Sequence, residues 1–190
     1  MGVRRVVVVL AVAVLAAAGL GACYPAPQTN VVVAIGDSLL LGAEQQGLAE
    51  RLRDLGLSPE IDAEGGRPAD RAVALVDAAT RGRRTGVLYL GLGTNDGTDR
   101  ASFRADIEAV MVAARGWPVV WSLVEWPKVL GLNDELRAAR DRHANLALID
   151  FTPEVTARPW YRATDGVHLV PAGYVARAAH IAAFCDRYRP

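Results

Sequence analysis

The chain has 190 residues, of which 52% are hydrophobic and 22% charged, with 21 basic and 21 acidic side chains. A formal net charge of zero leaves no global field to hold nucleic acid. The length suits one domain with a proper core once an N-terminal segment is set aside.

Residues 1–22 read as an export signal: Arg4 and Arg5 lead into an apolar run from Val6 to Leu20, followed by small residues up to Cys23. The run is near the short limit for spanning a bilayer, so cleavage is expected. "LGAC", Leu20 to Cys23, looks like a bacterial lipobox, in which the cysteine becomes the lipidated first residue. More than one acyl chain would then hold the protein at the outer face of the cytoplasmic membrane, with residues 23–30 as a short tether. The other reading is a secreted protein in which Cys23 pairs with Cys185. The count leaves both open, and the lipobox favours the anchor.

Beyond the tether, apolar runs alternate with helical spacing. "NVVVAIG" is short, β-branched and ended by Gly36, a buried strand. Leu39 to Leu55 spaces its apolar residues as one helix, ending at Gly56. "SPEIDAE" is a weaker strand, and "PADRAVALVDAAT" a helix with Pro68 near its first turn. "RGRR", Arg81 to Arg84, is a solvated loop before the clear strand "TGVLYLGLG". Arg100 to Arg115 is an amphipathic helix, "WPVVWSLVE" a strand, "LNDELRAARDRH" a helix and "LALIDF" a last strand. Pro171 to Tyr188 closes the chain as a helix. This alternation predicts an α/β fold: an open parallel sheet of about five strands with helices on both faces, over residues 31–190. Ligands collect at the carboxyl ends of the strands in such sheets, so the turns there carry the information.

The first strand ends in "GDSLL", which places Ser38 as a candidate nucleophile. It is not the G-x-S-x-G turn of the α/β-hydrolases, because Leu40 stands where the second glycine belongs. "GLGTNDG" ends another strand; it fails the dinucleotide fingerprint at Asp96 and offers the Asn95 amide to the crevice instead. "EGGRPAD" puts Gly65 and Gly66 ahead of a helix start, where a backbone N–H suits an oxyanion. "TDGVHLVPAGY" sets Asp165 three residues before His168, on a loop leading into the last helix. His143 and His180 lie within helical patterns and read as structural. Together these turns supply an acyl-transfer site. Ser38 would attack, His168 would move the proton and Asp165 would orient the imidazolium, while the N–H groups of Ser38 and Gly66 and the Asn95 amide would hold the oxyanion.

In these four blocks the sequence resembles the SGNH, or GDSL, hydrolase family. Ser38 in "GDSL" matches the first block, Gly66 the second, Asn95 in "GTND" the third, and Asp165 with His168 in "DGVH" the last. The resemblance implies a flavodoxin-like α/β/α sandwich, ester hydrolysis through Ser, His and Asp, broad substrate choice and no metal. "AIGDSLLLGA" and "DGVHLVPAGY" look most like SGNH domains attached to membrane acyltransferases that modify cell-wall polymers. The multi-helix membrane part of those proteins is not in this sequence, which leaves hydrolysis and transfer both open.

The expected function is therefore an extracytoplasmic serine esterase removing small, acetyl-like acyl groups from a carbohydrate or cell-envelope substrate. An O-acyltransferase on envelope polysaccharide is the alternative. A non-catalytic envelope-binding module would lose Ser, His or Asn, and none is lost here. Trp126, Trp160 and Tyr161 are candidates to line a substrate pocket or merely to pack their loops. Glu125 reads as a substrate contact or a rim charge. No Cys or His cluster has ligand spacing, and Asp96 with Asp99 falls short of a calcium loop, so no metal and no cofactor is expected. The expected partners are an ester substrate, an acylated glycan among the candidates, and a membrane surface if Cys23 is modified. Neither nucleic acid nor a second subunit is expected.

Overall fold

A computed structural model describes residues 30–83 and 85–188. The export signal, the tether and Cys23 lie outside the described residues. Five strands form one parallel sheet in the order β2-β1-β3-β4-β5: β1 (Val31–Gly36), β2 (Ser58–Ala63), β3 (Val87–Gly91), β4 (Val119–Ser122) and β5 (Leu146–Ile149). Every residue of β1, β3 and β4 is buried, as expected for parallel strands covered on both faces. Strand β2 lies at an edge, where it tolerates Pro59 and alternates exposed with half-buried residues.

Successive side chains point to opposite faces, so the sheet sorts its own sequence into two cores. Val31, Val33, Ile35, Leu88, Leu90, Val119 and Trp121 face α3 (Ala72–Thr80), α4 (Arg100–Ala113) and α5 (Leu132–Arg142). Val32, Ala34, Val87, Tyr89, Val120 and Ile149 face α1 (Ser38–Gln45), α2 (Leu48–Asp54) and α7 (Pro171–Arg187). The result is the expected three-layer α/β/α sandwich. The short α6 (Thr152–Ala157) joins β5 to the segment before α7.

One expected helix is divided in two. The helix expected over Leu39 to Leu55 is broken into α1 and α2 at Gly47, whose φ of +87° is left-handed. Apolar spacing runs on across the break, with Leu48 and Leu52 buried like Leu39 and Leu40, so periodicity alone hides it.

The chain leaves β1 to one side for β2 and crosses to the other side for β3. The carboxyl ends of β1 and β3 therefore flank the point where strand order reverses, the natural crevice of an open α/β sheet.

Candidate active site

Small residues are needed where β1 turns into α1. A Cβ on Gly36 would lie 2.7 Å from Leu40 Cβ and 3.0 Å from the Gly91 carbonyl, so only glycine lets β1 run this close to both. Asp37 caps α1 by accepting the Leu39 N–H at 2.9 Å, and its own N–H donates to the Gly91 carbonyl at 3.1 Å. Ser38 follows as the first residue of the helix and is partly exposed at the sheet edge.

His168 reaches this serine from far along the chain. Its Nε2 lies 2.9 Å from Ser38 Oγ, and its Nδ1 lies 2.6 Å from Asp165 Oδ2. The other oxygen, Asp165 Oδ1, accepts the N–H groups of Val167 and His168, each at 2.9 Å. These bonds, with that to the imidazole first among them, hold the Asp165 carboxyl down at about 2. A proton kept on Nδ1 by this carboxylate leaves Nε2 free to accept from the serine hydroxyl.

A narrow hairpin presents the pair. Ala163 donates its N–H to the His168 carbonyl at 2.8 Å, Val170 donates to the Tyr161 carbonyl at 2.8 Å, and Arg162 pairs with Leu169 as an antiparallel bridge. The Arg162 guanidinium closes the tip by donating to the Gly166 carbonyl at 3.0 Å. Pro171 then starts α7.

Asn95 and Gly66 complete the neighbourhood. Asn95 Nδ2 donates to Asp37 Oδ2 at 3.2 Å and makes a long contact of 3.4 Å with the Arg67 carbonyl. Gly65 and Gly66 are exposed in a turn closed by Arg67 N–H to the Glu64 carbonyl at 3.3 Å, with Gly66 at φ +78°. Asp37 itself is 1% exposed. Burial pushes its carboxyl up, against the Leu39 N–H and the Arg177 charge, which pull it down.

The three aromatic candidates do not form one cluster. Trp160 is 67% exposed and meets Tyr161 edge to face. Tyr161 packs with Phe151, Val155, Leu169 and Tyr174, beside the Asp165 hairpin. Trp126 packs instead on the core of the α3, α4 and α5 face, with Lys128 over its ring. Glu125 is neither a substrate contact nor a rim charge: it is 4% exposed and forms an ion pair with the equally buried Arg177 of α7. Asp99 caps α4 and Asp96 accepts the Ala69 N–H, and among the described residues no group of His, Cys, Asp and Glu is placed to hold a metal ion. Among those residues, too, no helix is long and apolar enough to cross a membrane. Cys185, on α7, is buried in the core and has no disulfide partner among the described residues.

No family model matches the chain. The Bacillus subtilis protein YrhL, assigned as a peptidoglycan O-acetyltransferase, is 27% identical over 150 residues, which make up 78% of this chain but only 23% of that protein. The C-terminal catalytic domain of peptidoglycan O-acetyltransferase A from Streptococcus pneumoniae superposes with a TM-score of 0.66 at 18% identity, covering 85% of this chain and 96% of that domain. A GDSL-like lipase from Bacteroides thetaiotaomicron gives 0.67 at 16% identity, covering 86% and 91%. The chain thus shares the three-layer fold of these structures, solved SGNH, or GDSL, hydrolases among them.

Proposed function

We propose that the chain is a serine ester hydrolase of small, acetyl-like acyl esters on a carbohydrate or cell-envelope polymer. The observation that carries the reading is the continuous hydrogen-bonded line from Ser38 Oγ through His168 to Asp165, at 2.9 and 2.6 Å, opening at the sheet's carboxyl edge. Ser38 Oγ attacks the ester carbonyl carbon as its proton passes to His168 Nε2. The carbonyl oxygen, now an oxyanion, is held by the N–H groups of Ser38 and Gly66 and by Asn95. Collapse breaks the bond to the alcohol, which leaves with the proton from His168. Water then attacks the acyl-serine by the same route in reverse, releasing the acid and restoring the hydroxyl.

Transfer to a sugar hydroxyl in place of water is the second reading, favoured by the peptidoglycan O-acetyltransferases among the similar proteins. Those relatives also support an envelope location for the substrate, and the N-terminal sequence supports export with Cys23 lipidated. Trp160, exposed beside the Asp165 hairpin, is suited to stack on a sugar ring or acyl chain. The test is hydrolysis of short p-nitrophenyl esters by the purified protein and by Ser38→Ala, with a loss on the order of 10⁴-fold or more expected. No turnover, or equal turnover in both, would overturn the reading. Incubation with an acyl donor and an oligosaccharide separates the two acceptors: free acid alone rejects transfer, and acylated glycan establishes it.

A further inference from the structure

The two glycines of the turn expected to supply one oxyanion donor have no side chains to hold them. A Cβ at Gly65 or Gly66 would meet nothing within 4 Å, so neither residue is packed against the protein. The turn follows β2, an edge strand with a single neighbour. Something else must fix its distance from Ser38.

Arg67 is the next residue, and it is 5% exposed despite its charge. Its guanidinium spans four acceptors, on β1, on β2 and on Glu64 just after β2. Nη1 donates to the Gly36 carbonyl at 3.2 Å and the Asp62 carbonyl at 2.7 Å. Nη2 donates to Asp62 Oδ1 at 2.6 Å and Glu64 Oε2 at 3.3 Å. Gly36 ends β1 two residues before Ser38, and its carbonyl also accepts the Glu64 N–H at 3.1 Å. The Arg67 main chain closes the glycine turn through its N–H and receives the Asn95 amide on its carbonyl. One residue thus touches the strand that leads to Ser38, the turn that carries Gly66, and Asn95.

We propose that Arg67 is a positioning residue that sets the three oxyanion donors at their common spacing. The inference rests on the hydrolase reading above. A planar fork with fixed donor directions holds several acceptors at once; a lysine ammonium is a single point charge and reaches fewer. Loosening the fork lets the turn drift from Ser38 and leaves the serine, histidine and aspartate where they are. The loss then falls on the step in which negative charge grows on the carbonyl oxygen, and substrate binding is spared.

The experiment compares wild type with Arg67→Lys and with the milder pair Asp62→Asn with Glu64→Gln, which removes the two carboxylate charges that pair with the fork from the surface side. Sites are counted by complete titration with a fluorophosphonate, so that kcat refers to labelled Ser38. The expected result for Arg67→Lys is a fall in kcat per site of about 10- to 100-fold, with KM within about 3-fold. Inhibition by a trifluoromethyl ketone, whose adduct carries the oxyanion, should weaken by the same factor. The acceptor pair should show a smaller loss in the same direction, and it decides the matter if Arg67→Lys fails to fold. A merely structural role would lower the melting temperature and the titrated fraction while leaving kcat per labelled serine and ketone affinity unchanged, and that outcome overturns the inference. Wild-type protein that neither labels nor hydrolyses any ester overturns the hydrolase reading and the inference with it.

Discussion

Replacing Asp165 by Asn separates the carboxylate's work on the imidazole from its work on the loop. Oδ1 accepts two backbone N–H groups at 2.9 Å, whereas Oδ2 alone faces His168 Nδ1, at 2.6 Å. An asparagine keeps its carbonyl oxygen on the two N–H groups, since these can only donate, and turns its NH₂ toward the ring. Nδ1 must then accept, and the ring proton moves to Nε2, where it points at Ser38 Oγ 2.9 Å away. The base can no longer take the serine proton. Tautomer reversal of this kind costs about 10⁴-fold in turnover where the carboxylate is buried. Here the Asp165 side chain is 50% exposed, so water competes for the ring and screens the charge. The expected loss for Asp165→Asn is about 10²- to 10⁴-fold in kcat with little change in KM. The assay is p-nitrophenyl acetate hydrolysis between about pH 5 and 9, with the melting temperature showing that the loop still folds. Because the carboxyl is held down at about 2, its own titration adds no limb to the wild-type profile in that range. A folded Asp165→Asn protein turning over within about tenfold of wild type would refute the tautomer argument.

Two further substitutions test the surroundings. Asp96 has the opposite sign to Asp165: burial raises its carboxyl from 3.8 to about 6, against the Ala69 N–H it accepts. Folding therefore favours its protonated form, and the stability this group contributes falls as pH rises from about 4 to about 6, the penalty being complete above that. Two pH units set an upper limit of about 3 kcal/mol, which partial exposure reduces to about 1–2 kcal/mol. Asp96→Asn keeps an acceptor for Ala69, removes the charge that burial and the Asp106 and Asp70 charges oppose, and should raise the melting temperature at about pH 8 by about 3–6 °C, with little effect at about pH 4. A midpoint at pH 8 no higher than wild type counts against it. Gly42→Ala would put a Cβ 2.3 Å from the Tyr174 ring, where α1 meets α7. The ring has to move, and the expected cost is about 1–3 kcal/mol, read as a lower urea midpoint; an unchanged midpoint would show that the helices do not meet this closely.

The parts of the fold that read clearly from sequence were those with one physical cause. Strands β1, β3 and β4 are apolar without interruption because both of their faces are covered. Strand β2 was weaker because an edge buries half as much, and α6 went unseen because six residues hold too few turns to show a period. The candidates Ser38, Asn95, Asp165 and His168 stand out in the sequence because each sits in a short turn of small or polar residues at the end of a strand or before a helix. Arg67, Arg162, Arg177 and Glu125 were not. Their partners lie up to 52 residues away, and an arginine or glutamate following an apolar strand looks like an ordinary surface charge. The one local sign was Arg67 itself, an arginine wedged between two glycines and a proline amid Asp62, Glu64 and Asp70.

Those hidden charges explain why the second residue of "GDSL" is an aspartate. Burying Asp37 is costly, and a serine or asparagine would cap α1 about as well. The carboxylate does more than cap, because one oxygen holds the Leu39 N–H while the other takes the Asn95 amide. It therefore ties the helix that begins at Ser38 to the loop that carries Asn95. A buried positive charge nearby makes this bearable: Arg177 pulls the Asp37 carboxyl down against its burial, and Glu125 holds Arg177 in place. Arg177 belongs to α7, the helix that starts directly after the Asp165 hairpin. The same helix thus closes the loop that aims His168 and supplies the charge under Asp37, so the two halves of the site share one support.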